Sequence, residues 1–128
     1  MKSVSFLTLA EVIDIHRDQI QRYGGGNGLR DINLLSSAIG MPRSSFSGKF
    51  LHPALFDMAA AYAFHISQNH PFIDGNKRTA LASALIFLEM NGVTIADPSQ
   101  KLYRAMIALA KGTAGKADIA KLLQSLQE

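Results

Sequence analysis

Cysteine is absent from the 128 residues, so no disulfide framework, thiol nucleophile, iron–sulfur cluster or cysteine-ligated zinc can be built from them. A reducing, cytoplasmic setting is the expectation. Long apolar runs are lacking too: the strongest, 55–66 and 79–90, fall short of the roughly 20 residues a bilayer span needs. No membrane partner is expected. The first residues, one lysine and then Ser3, Ser5 and Thr8, carry no apolar region ending in a small-residue cleavage site, which argues against a secretory signal. Charge of one sign is also scarce. The 13 basic residues outnumber the 10 acidic ones by little and are scattered, with only Lys77 and Arg78 adjacent, so no direct nucleic-acid partner is expected.

Several catalytic signatures are missing as well. There is no P-loop spacing and no G-x-G-x-x-G following a strand, and the glycines from Gly24 to Gly28 do not open a helix. Zincin spacing is absent.

What is present is an apolar, helix-patterned chain. With 48% hydrophobic residues it can bury one core, and its length predicts a single domain over residues 1–128. Thr8 and Glu11 have capping-box spacing, and Leu9, Val12, Ile13, His16, Ile20 and Tyr23 follow at helical intervals, predicting a helix from about Thr8 to Tyr23. Asp31 is placed to cap a second helix that Gly40 and Pro42 stop, and 43–50 reads as an exposed loop or short hairpin. Pro53 suits the first turn of a third, almost wholly apolar helix. That helix ends near Asn69, because His70 precedes a proline. A fourth helix begins near Asn76 or Lys77 and ends at Asn91-Gly92. Val93-Thr94-Ile95 is at most one short strand, Asp97-Pro98-Ser99 starts a fifth helix, and Ala117 to Leu126 forms a sixth. The fold class expected is all-α, a compact bundle of about six helices with a short flap loop or hairpin.

Chemistry concentrates in His70-Pro71-Phe72-Ile73-Asp74-Gly75-Asn76-Lys77-Arg78. Gly75 permits a sharp turn, and the amides from Gly75 to Arg78 fall at a helix N-terminus, where unpaired N–H groups favour an anion. Two cations there oppose the helix dipole, which a bound polyanion explains better than helix stability does. Asp74 is a hard oxygen ligand of the kind that takes magnesium, and His70 can accept a hydroxyl proton near neutrality. The plainer reading has Asp74 and Asn76 merely capping the helix and His70 closing the previous one. Capping explains neither the histidine nor the paired cations. Phe72 reads as a core plug anchoring the loop. His16, His52 and His65 lie outside the segment; packing and a helix entrance account for them, and no chemistry is assigned.

This segment resembles the Fic family signature H-P-F-x-[D/E]-G-N-G-R-x-x-R, matching from His70 to Asn76 and again at Arg78. Lys77 replaces the usual glycine and Leu81 the second arginine. With Arg22-Tyr23-Gly24-Gly25 and Gly28-Leu29-Arg30-Asp31 upstream, the pattern is similar to the death-on-curing (Doc) toxin branch. The resemblance implies a Fic-type helical fold. It also implies a kinase that uses ATP and Mg2+, turns the γ-phosphate toward the histidine, and modifies a threonine of elongation factor Tu, restrained by a Phd-type antitoxin. Carried over by position, His70 is the general base, Asp74 the magnesium ligand, and Gly75, Asn76, Lys77 and Arg78 bind phosphate, while 43–50 matches the flap that docks the target. AMP transfer by a Fic-type adenylyltransferase is the alternative, and a non-catalytic helical module the second. No [S/T]-x-x-x-E-[G/N] self-inhibition motif exists, since Leu7, Leu85 and Gln124 precede the glutamates by four residues, so restraint must come from another chain.

Overall fold

A computed structural model describes residues 3–128. Among these residues the chain forms six helices and one two-stranded hairpin: α1 (Leu9–Tyr23), α2 (Ile32–Gly40), β1 (Ser45–Phe46), β2 (Lys49–Phe50), α3 (Leu55–Asn69), α4 (Asn76–Met90), α5 (Lys101–Lys111) and α6 (Lys116–Ser125). The all-α expectation holds, and the 43–50 segment is a hairpin with Ser45 opposite Phe50 and Phe46 opposite Lys49. No helix among the described residues is long and apolar enough to cross a membrane.

Local chemistry sets most helix starts. The Thr8 hydroxyl accepts from Glu11 N while the Glu11 carboxylate accepts from Thr8 N, a complete capping box for α1. Asp31 accepts from Asn33 N and Leu34 N at the head of α2.

Two helix starts differ from the sequence expectation, in each case because a carboxylate three to five residues away satisfies the backbone amides. Pro53 lies before α3, not in its first turn, since the Asp57 carboxylate takes the Ala54 amide and starts the helix at Leu55. Helix α5 begins at Lys101, because the Asp97 carboxylate reaches over a left-handed Gln100 to the amides of Lys101 and Leu102. The 93–95 segment, expected to be at most one short strand, forms a single bridge between Ile95 and Gln127, flanked by Ala96 N to Leu126 O and Glu128 N to Thr94 O.

Helix α3 is central. It packs against α2, α4, α5 and α6, and a run from Met58 to Ala63 is buried without interruption. Its closest partner is α4, and alanines fill many buried positions on both helices, Ala59, Ala60 and Ala63 on one and Ala80 and Ala84 on the other, so the backbones can approach. The two helices are joined by 70–75, which fixes that short loop at one end of the core.

Candidate active site

Phe72 anchors the loop: its ring is 1% exposed and lies in the core cluster, as the sequence suggested. Over it stacks His16 of α1, ring centroids 3.8 Å apart and nearly parallel. The buried His16 donates from Nε2 to the Asp74 carbonyl at 2.8 Å. Sequence reading assigned His16 to packing; the structure adds a hydrogen bond to the loop that no local pattern could reveal, since 58 residues separate the partners.

Asn76 has a similar part. It is buried, its Oδ1 accepts from Phe72 N and its Nδ2 donates to Phe72 O, both at 2.9 Å, so the amide closes the loop on itself. The same Nδ2 lies 3.3 Å from His70 Nδ1. What Asn76 leaves for a ligand is its backbone N–H. The cap of α4 is Gly75, in the left-handed region at φ 74, with no side-chain hydrogen bond to the first turn and no acidic residue there. The first-turn amides are therefore uncapped by side chains, and Lys77 and Arg78 stand exposed beside them.

Asp74 is exposed and oriented by two amides, Gly75 N on Oδ1 at 2.8 Å and Gly26 N on Oδ2 at 3.2 Å. Those bonds, with Arg78 and His16 nearby, hold its carboxyl below the usual carboxylate range, so it is ionised at neutral pH. The plain capping reading of Asp74 and Asn76 does not describe these contacts. No cluster of three or more acidic or histidine ligands capable of holding a metal exists among the described residues. One ionised, exposed carboxylate fits magnesium nonetheless, because that ion is ordinarily held by one or two carboxylates, waters and substrate phosphates.

The three groups meet in space. His70, Asp74, Gly75, Asn76, Lys77 and Arg78 all line one cavity of about 310 Å³, which Tyr103 of α5 also borders. Lys77, Arg78 and Tyr103 also border a larger cavity of about 510 Å³, walled by apolar residues of α4 and α5 and by Tyr23. Tyr23 lies under the Arg78 guanidinium at 5.1 Å.

A profile of the Fic/DOC family matches residues 6–88, more than half of the chain. The chain belongs to the Fic/DOC family. Protein kinase doc of Escherichia phage P1 is 35% identical over 116 residues, covering 91% of this chain and 90% of that protein. Toxin Doc of Mycolicibacterium smegmatis is 43% identical over 74 residues, covering 58% of this chain and 57% of that protein. Both relatives are Doc proteins, which places the chain in the Doc branch of the family, and the six-helix bundle with its hairpin is a Fic-type fold. In this Fic/DOC chain the glycine run after Tyr23 gains a reason: a Cβ on Gly25 would stand 2.7 Å from Asp74 Oδ2, at a φ of +113°. Tyr103, the Gly26 amide and Arg30, whose guanidinium binds the His70 carbonyl, complete what the motif did not disclose.

Proposed function

We propose that this chain is a Doc-type toxin kinase that transfers the γ-phosphate of ATP to a hydroxyl side chain, a threonine of elongation factor Tu, and so halts protein synthesis in the cytoplasm. The observation that carries the reading is the convergence of His70, the ionised Asp74 and the uncapped N-terminus of α4 on one cavity. The name of the phage P1 relative, a protein kinase, supports the reaction type.

The phosphates lie against the amides of 76–78 with the Lys77 ammonium beside them, where the helix end and the full charge both favour the anion. His70 takes the proton of the attacking hydroxyl as its oxygen bonds the γ-phosphorus and the bond to the β-phosphate oxygen breaks, releasing ADP. Base action at Nε2 requires the ring proton on Nδ1, so the Asn76 amide, which lies 3.3 Å from Nδ1 and can only donate to it, must give up that contact when the hydroxyl binds. Asp74 would hold Mg2+, which neutralises phosphate charge when bound. The exposed hairpin, with Phe46 75% exposed, is the surface for the target segment. Restraint comes from a Phd-type antitoxin.

The test is to incubate the protein with bacterial lysate, magnesium and ATP labelled at either the α or the γ position. Label from the γ position alone, on one protein, is expected. Label from the α position means AMP transfer and replaces this reading.

A further inference from the structure

Residues 24–31, between α1 and α2, supply no reacting group to the proposed chemistry, yet they run alongside the 70–75 loop. Arg30 N and Asp31 N donate to Pro71 O at 2.7 and 3.0 Å, and Ile73 N donates to Gly28 O at 3.1 Å. Leu29 and Phe72 pair as an antiparallel bridge. The connection is a backbone template for the loop.

One charged side chain acts on that template. Arg30 Nε donates to His70 O at 2.7 Å and its Nη2 to Asn69 O at 3.1 Å. These carbonyls end α3, where helix geometry leaves them without intrahelical partners and where a cation is favoured. Among the described residues no carboxylate pairs with Arg30.

The place it grips is strained. His70 sits at φ 49 and ψ 54, left-handed although it is neither glycine nor asparagine, and it precedes a proline. A residue stays in that region only when its surroundings over-determine it. Pro71 O is held by two backbone amides, and the His70 carbonyl by the Arg30 fork.

We infer that Arg30 is a positioning residue that holds His70 in the left-handed conformation from which its imidazole lines the cavity with Asp74 and Lys77. This rests on reading His70 as the base. Without the guanidinium, residues 69–70 relax toward the extended backbone a pre-proline residue favours, and the ring leaves its place. The rest of the loop stays, because its bonds to 28–31 are backbone bonds.

The test compares wild type with Arg30→Ala for γ-phosphate transfer and, without nucleotide, for the NMR resonances of the His70 ring. A misplaced base predicts a kcat loss of about 100-fold with KM for ATP nearly unchanged. It also predicts displaced His70 ring resonances, and added guanidinium ion should restore part of both. Should Arg30→Ala not fold, Arg30→Lys, which keeps the charge but cannot fork across two carbonyls, carries the same two readouts. A folded variant with unchanged kcat, or with lost kcat and unmoved ring resonances, overturns the inference and leaves Arg30 a helix cap. If wild type transfers no γ-phosphate, the proposed function fails by itself, and the ring resonances alone decide Arg30.

Discussion

At the scale of single residues, exposure separates chemistry from folding. His70 is exposed, so His70→Ala should leave the melting temperature nearly unchanged while costing about two to four orders of magnitude in transfer rate, the usual loss for a positioned base. Purified variant turning over at the wild-type rate would refute it. Asp74 is also exposed, and on the proposed reading its charge is what would hold magnesium. Asp74→Asn should weaken ATP binding far more with magnesium than without it, which calorimetric titration in both conditions measures. Gly25→Ala should reproduce that deficit by pushing the Asp74 carboxylate aside. Gly24→Ala is the control, since its φ of +84° is equally unfavourable but nothing lies within 4 Å of its Cβ. Equal nucleotide binding by the two alanine variants would show that the Gly25 contact is without consequence.

At the scale of elements, the α3–α4 pair both makes the core and aims the loop. Two hydroxyls of α4, on Thr79 and Ser83, are buried without a hydrogen-bond partner. An unpaired buried hydroxyl costs about 1–3 kcal/mol, and alanine is the better helix former, so Ser83→Ala should stabilise the protein by about 1 kcal/mol. Chemical denaturation checks it, and a loss of stability would mean that the hydroxyl has a partner in solution. The hairpin is the opposite kind of element: its four strand residues are all exposed, and the Phe50 ring meets Phe6, itself packed against the core, at 5.8 Å.

At the scale of the whole molecule, one contact ties the hairpin's exit, α3 and α6 together. Lys116 Nζ lies 3.0 Å from His52 Nε2 and 3.1 Å from His65 Nε2. Burial first and the lysine charge second push both histidines down, His65 from 6.5 to about 4. The folded protein then binds fewer protons than the unfolded chain between these values, so stability falls as pH drops from 6.5 toward about 4. The Asp74 carboxyl, itself lowered, acts in the same direction at more acid pH. Lys116→Met should flatten the loss of melting temperature across the histidine window by removing the second cause and leaving burial. An unchanged pH slope would show that the lysine does not reach the histidines in solution.

The sequence by itself determined the helices and the composition of the loop. Thr8 with Glu11, Asp31, and Asn91-Gly92 act on amides and carbonyls within a turn of themselves, so spacing alone reads them. The motif from His70 to Arg78 is contiguous and was legible for the same reason. Only the tertiary structure decided what those residues do with their hydrogen bonds. It spends the Asn76 side chain on Phe72, brings His16 to the Asp74 carbonyl and lays 28–31 against 71–73. It also gathers His52, His65 and Lys116, separated by up to 64 residues, around one ammonium. Helical periodicity relates neighbours three or four apart, whereas these partners meet because the core packs α1, α3, α4 and α6 together.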